Sequence, residues 1–234
     1  MPKRNEKKIV FVIVEGPSDQ MALELLLNKI FIDEQVRVKV VYTDITTEFI
    51  GRSENIVTKV NELVRSYRNA NRLTPGDFKE IIHIVDTDGA FISDDSVVDD
   101  LSAQDPVYTP KEIRTNKKSG IEARNQRKRN NLGKLVWTKK IGGIPYRVFY
   151  MSCNLDHVLH NKQMSSDKEK SEDAFRFAQK YKDNLPGFID FISNSNFSVQ
   201  KSYKESWEFI KEGTNSLNRY TNLAICFTSQ ESDE

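Results

Sequence analysis

Two cysteines in 234 residues, Cys153 and Cys226, are too few for a disulfide framework or a zinc cluster. No apolar run approaches the length that spans a bilayer. The basic stretch Met1 to Lys8 has no small-residue cleavage site, and Ile9 to Val14 is too short for a secretory h-region. These absences argue against a secreted disulfide scaffold and a membrane-spanning chain, and predict a cytoplasmic protein. No GxxxxGK[ST] phosphate loop occurs, so the chain carries no P-loop ATPase of its own. No internal repeat is visible. The net charge is +1, and the global balance therefore names no partner.

At 38% hydrophobic and 29% charged residues, the composition is that of a globular chain with enough apolar side chains for a core. The length predicts one large domain, or one domain with an appendage. Charge is informative in its distribution. Between Lys111 and Lys140 eleven basic residues face only Glu112 and Glu122, and an acidic stretch (Asp94, Asp95, Asp99, Asp100, Asp105) lies just upstream.

Ile9 to Val14 is a continuous apolar, mostly β-branched run closed by Glu15-Gly16-Pro17, the pattern of a strand buried on both faces in a parallel sheet. Ser18 is placed to cap a helix whose apolar face would comprise Met21, Leu23, Leu25, Leu26, Leu27 and Ile30. A strand over 36–42, a helix over 55–67, a turn at Thr74-Pro75-Gly76-Asp77 and a buried strand over 81–85 follow, the last running into Asp86-Thr87-Asp88-Gly89. This alternation predicts an α/β fold: a central, mostly parallel sheet flanked by helices and joined by right-handed crossovers. Residues 89–144 break the rhythm and read as a polar, basic, partly mobile insert with a helix near 121–131. A strand over 146–151 and a short helix over 155–160 come next. The expected division is a domain over 1–164, a C-terminal helical extension over 165–228 anchored by aromatics (Phe175, Phe177, Tyr181, Phe188, Phe191, Trp207, Phe209, Tyr220), and a disordered tail over 229–234. His83, inside a strand, reads as a core residue, and both cysteines as plain buried ones.

In open α/β sheets ligands bind beyond the carboxyl ends of the strands. Glu15 follows the first strand and Asp86 and Asp88 follow the third, so neighbouring strands would bring the three carboxylates into one crevice. Ionised carboxylates disfavour one another, and a hard divalent cation with oxygen ligands resolves the repulsion. Taken singly, Glu-Gly after a strand is a turn and Asp-x-Asp-Gly a loop with Asx-turn chemistry; the pair, with a helix between, points to Mg2+ or Mn2+.

The segments VFVIVEGPSDQMALELL and IIHIVDTDGAF resemble the Toprim (topoisomerase–primase) domain over residues 8–160. The pattern Glu15-Gly16-x-Ser18-Asp19 is most similar to the overcoming-lysogenization-defect and abortive-infection phage-defence nucleases. The resemblance implies a Toprim-like, Rossmann-like sheet and a magnesium-dependent endonuclease. Glu15, Asp86 and Asp88 would be catalytic and metal-binding, with Glu15 a ligand and the candidate general base. Asp19, one turn into the helix, would serve a second metal or support the first. Asp156, in Asn154-Leu155-Asp156, falls where relatives carry a further acidic ligand, most often Glu. His157 and His160 lie nearby, facing phosphate or capping a helix. The resemblance also implies an effector of anti-phage defence with an ABC-type ATPase partner, docking on the 165–223 helices or the acidic 94–105 stretch. A homo-oligomer is compatible with it.

A polyanionic substrate needs a cationic track, because neutralised phosphates release counterions. Lys117, Lys118, Arg124, Arg127, Lys128 and Arg129 are the candidates for binding DNA or RNA, and Arg124, Arg127 and Lys128 would share a helix face. The plain alternative is a solvated charged loop. Two rival functions stand beside the nuclease: a non-catalytic subunit that binds nucleic acid or a partner, and a phosphatase of the haloacid-dehalogenase type using Asp86 as nucleophile. The phosphatase motif belongs at a first strand, whereas here a strand–helix–strand–helix run and Glu15-Gly16 precede it.

Overall fold

The computed structural model describes residues 7–31, 36–47 and 55–227. The expected tail over 229–234 lies outside the described residues. The elements that match the sequence expectations most closely are β1 (Lys8–Val14), β2 (Val36–Tyr42) and α4 (Leu155–His160), with α2 (Ile56–Ala70) and β3 (Phe78–Asp86) each slightly longer than expected. The central sheet has the order β2-β1-β3-β8-β7, where β7 is Lys140–Ile141 and β8 is Ile144–Met151. β1 pairs in parallel with β2, Lys8 opposite Val36 through Val14 opposite Tyr42. It also pairs in parallel with β3, with a register shift after Ile9. Flanked on both edges, β1 buries every residue from Ile9 to Val14. The edge strand β2 buries Val36, Val38 and Val40 and exposes Arg37, the alternation of a strand covered on one face. The result is a mixed α/β fold with a mostly parallel central sheet and flanking helices.

The helix after β1, α1 (Pro17–Ile30), starts earlier than Ser18 would place it: Gly16 is the cap and Pro17 the first helical residue. Proline suits that position because its φ is preset and its missing N–H would have had no partner. The buried stripe of α1 is Ala22, Leu23, Leu26 and Leu27, whereas Met21 and Leu25, expected inside, are exposed.

The insert differs most from expectation. Instead of a mobile segment it holds a three-stranded sheet in the order β4-β6-β5, from β4 (Val97–Asp99), β5 (Val107–Tyr108) and β6 (Ile113–Thr115), followed by the 19-residue helix α3 (Lys118–Val136). Ile92, Val97, Ile113, Ile121 and Leu217 form its core. The acidic stretch contributes a short helical turn, Asp94–Ser96, and β4 itself.

Beyond α4 lie α5 (Asp167–Tyr181), α6 (Leu185–Asn194) and α7 (Tyr203–Phe209). Trp207 is fully buried edge-on to Tyr150, and Phe188 is also fully buried, while Phe175, expected as an anchor, is exposed. The backbone divides into two compact units. One is drawn from Met1–Ile84, Arg127–Val148 and Ser171–Leu185, the other from Val85–Gln126, Phe149–Lys170 and Pro186–Glu234. Among the described residues no helix is long and apolar enough to cross a membrane.

Candidate functional site

In the first unit, Glu15 leaves the end of β1. Its Oε1 accepts from the Thr46 hydroxyl at 2.7 Å, and its Oε2 accepts from Lys128 Nζ at 3.2 Å. The lysine side chain is 0% exposed and the glutamate side chain 8%. Lys128 was expected on an open nucleic-acid-binding face; it lies instead in the interior, as the ammonium partner of Glu15. Thr46 is itself fixed, because Asn131, also on α3, donates from Nδ2 to its carbonyl at 2.9 Å. Asp44 accepts from Thr47 through both its N–H and its hydroxyl, which shapes the turn that presents Thr46.

Asp19 is buried in the first turn of α1, where its Oδ2 accepts the Gly16 N–H at 2.8 Å and satisfies one of the free donors of the helix start. A structural capping role is thus present whatever else Asp19 does.

His83 is the core residue the sequence implied, fully buried in β3 with Nδ1 2.8 Å from the Tyr146 hydroxyl. Burial, and secondarily the charge of Lys128, pull its pKa down to about 3. The folded value lies below the ordinary one near 6.5, so this contribution to stability is complete above roughly pH 6.5 and is lost as pH falls toward 3, by up to ~1.4 kcal/mol per pH unit. Urea midpoints between about pH 7 and about pH 5 measure the slope. His83→Gln is expected to flatten it by about one proton, and an unchanged slope would clear His83 of the effect.

In the second unit, the Asp86-Thr87-Asp88-Gly89 turn is built around Thr87, which is 0% exposed. The Thr87 N–H donates to the Met151 carbonyl at 3.0 Å, its hydroxyl donates to the Ser216 carbonyl at 2.9 Å, and the same hydroxyl accepts the Cys153 N–H at 2.9 Å. Gly89 and Cys153 also donate their N–H groups to the Ser216 carbonyl, at 3.1 and 3.0 Å. Thr87 is thereby drawn inward, and the half-buried aspartates stand on either side of it. Asp86 Oδ1 accepts the Leu155 N–H at the start of α4 at 3.0 Å. Asp88 has φ +48, a left-handed conformation that costs an ordinary L-residue about 1–2 kcal/mol. Gly89 follows at φ +66, and a Cβ there would stand 2.4 Å from Leu217 Cδ2, so only glycine fits.

Asp156 is buried in the first turn of α4, and His157 beside it is 7% exposed. Burial, then the positive Arg219, lower the His157 pKa to about 4, so the ring is neutral near pH 7 and cannot serve there as a cation for phosphate. The backbone N–H of His157 donates to the side-chain Oδ1 of the capping Asn154. His160, on the same helix, is half-buried. Cys153 and Cys226 are both buried, as the sequence implied.

Of the basic candidates, Lys117 is exposed, while Lys118 is partly exposed and pairs with Glu122 at 3.9 Å. Arg127 and Arg129 are half-buried, and Arg127 Nε has no hydrogen-bond partner among the described residues. Arg124 is occupied by neighbours within its own unit: its Nη2 donates to the Asp88 carbonyl at 2.8 Å, and its Nη1 to the Tyr108 hydroxyl.

The donor chemistry is all carboxylate oxygen, which suits a hard cation. Among the described residues, no three or more His, Cys, Asp or Glu side chains form a ready-made metal cage. Magnesium does not need one, since it keeps several waters and is bound by one or two carboxylates together with substrate phosphates. Thr46, Asn131, Tyr108 and Ser216 were missed from sequence. Only Thr46 carried a signal, its position just beyond the carboxyl end of a strand.

Comparison with family models, with curated proteins and with solved structures finds no match to this chain. What is established is therefore the class of fold, a mixed α/β chain with a mostly parallel central sheet.

Proposed function

We propose that the chain is a Toprim-like, magnesium-dependent nuclease that hydrolyses phosphodiester bonds of DNA or RNA. The observation that carries the reading is the Asp86-Thr87-Asp88-Gly89 turn, where a buried threonine sets two aspartates apart at the end of β3. Glu15 ends β1, the parallel neighbour of that strand in the sheet. Asp86 and Asp88 would hold the cation, Mg2+ or Mn2+, with Glu15 a further ligand or the base toward the attacking water. Asp19 and Asp156 would support a second ion. When bound, the metal would supply Lewis-acid stabilisation of charge on the phosphoryl oxygens and a more acidic water. Lys117, Lys118, Arg127 and Arg129 would attract the substrate backbone. An ABC-type ATPase partner and a role in anti-phage defence belong to the same proposal.

One observation favours a second reading, a subunit that binds without cutting. Glu15 already has an internal cation in Lys128.

Purified protein, with and without a candidate ATPase, is incubated with plasmid DNA and total tRNA plus Mg2+ or Mn2+. The nuclease reading expects cleavage that EDTA abolishes and that Glu15→Ala and Asp86→Ala lose. Cleavage by both variants at the wild-type rate would sink the site assignment, and metal-dependent binding without cleavage would select the second reading.

A further inference from the structure

Arg124 belongs to the basic run that sequence assigns to nucleic acid, but its guanidinium is directed elsewhere. Nη2 donates to the Asp88 carbonyl at 2.8 Å and to Asn125 Oδ1 at 2.7 Å, and Nε donates to Asn125 Oδ1 at 3.2 Å. Nη1 donates to the Tyr108 hydroxyl, and the guanidinium carbon lies 5.7 Å from the Tyr108 ring centre. Burial raises the Tyr108 phenol above its ordinary value, so the hydroxyl stays protonated and neutral as Arg124's partner.

Two features surround this arrangement. Asn125 is 0% exposed, and its Nδ2 has no hydrogen-bond partner among the described residues while its Oδ1 faces the guanidinium. The reverse amide orientation would set donor against donor, so the arginine dictates how Asn125 points. The second feature is that both peptide groups of the left-handed Asp88 are tied: its carbonyl to Arg124, and its N–H to the Cys153 carbonyl at 2.8 Å. A sparsely populated backbone conformation persists only where its surroundings over-determine it.

We propose that Arg124, braced by Tyr108 and Asn125, is a positioning residue that holds Asp88 in its left-handed conformation and so sets the Asp88 carboxylate for a hard divalent cation, rather than a contact to nucleic-acid phosphate. The use of that carboxylate rests on the nuclease reading; the hold on the Asp88 backbone does not.

The full chain is compared with Arg124→Gln, Arg124→Lys and Tyr108→Phe by three measurements. These are amide hydrogen exchange at Asp88 and Gly89, calorimetric Mn2+ binding, and the salt dependence of binding to a labelled oligonucleotide. Arg124→Gln is expected to speed exchange at Asp88 and Gly89 about tenfold, the change for one lost hydrogen bond from a charged donor. It should weaken Mn2+ about tenfold or more, as loss of a ligand's support does, and leave the salt slope unchanged. Arg124→Lys should fall between, since an ammonium keeps a donor but not the planar fork. Tyr108→Phe should shift exchange the same way by less, and it decides the matter by that readout if Arg124→Gln does not fold. Unchanged exchange, with a salt slope reduced by about 0.9, makes Arg124 a phosphate contact and overturns the proposal. Faster exchange in a protein that binds no Mn2+ even as wild type supports the hold on Asp88 while removing the nuclease reading.

Discussion

Lys128→Met is expected to lower the free energy of unfolding by about 3–5 kcal/mol, the cost of leaving one member of a buried ion pair without the other. The lysine side chain is wholly inaccessible and its ammonium stands 3.2 Å from Glu15 Oε2. Methionine keeps the length and apolar stem of lysine, so lost packing is a small part of the effect. What remains is a carboxylate in the interior that has lost this ammonium, and the neutral Thr46 hydroxyl does not offset its charge. The control is the double variant Lys128→Met with Glu15→Gln. Removing both charges should restore most of the loss, because replacing a whole buried pair by neutral groups is often nearly neutral. Urea unfolding at constant m reads both values. A single variant within about 1 kcal/mol of wild type would mean that the pair is not held as a buried one. The same comparison bears on function, since a lysine acting only on substrate would alter binding and leave stability alone.

The second large effect is expected in cleavage rather than stability. Asp86 Oδ1 accepts the Leu155 N–H, and an asparagine can accept the same bond through its own Oδ1. Asp86→Asn therefore removes a charge and keeps that hydrogen bond. Under the proposed function its cleavage rate should drop by more than the roughly 10–100-fold that removal of a supporting partner costs a metal site. Asp88→Asn should behave alike, because asparagine tolerates the left-handed backbone that Asp88 adopts. Substitution by alanine at 86 is less clean, since it also leaves the Leu155 N–H without that acceptor. Wild-type cleavage by Asp86→Asn would remove Asp86 from the chemistry.

The strands that carry these groups were readable because their apolar runs are continuous. Ile9 to Val14 could only be a central strand once both its faces had to be buried, and β1 is flanked by β2 and β3. The Asp-x-Asp spacing was equally plain, yet nothing in the sequence showed that Thr87 is the pivot or that the carbonyl of Ser216, more than a hundred residues away, receives three donors from that turn and its neighbour. Hydrogen bonds to a backbone carbonyl leave no trace in residue type. The small sheet was missed because its strands are only two or three residues long, too short to display a period.

α3 shows most clearly where sequence stops. Arg124, Arg127 and Lys128 were grouped by their spacing of three and four, as one solvent-facing cationic stripe. The helix has another stripe at the same spacing, Ile121, Asn125, Lys128, Leu132 and Leu135, and that one is buried. Lys128 belongs to both patterns by position. Periodicity alone cannot choose between them, because a helix shows which residues share a face and not which face meets the core. The sequence by itself determined the α/β class, the central strands and the carboxylates at their ends. The tertiary structure alone decided that one lysine of a basic run faces Glu15 in the interior and that one arginine braces Asp88, because burial and pairing depend on what the chain packs against each helix face.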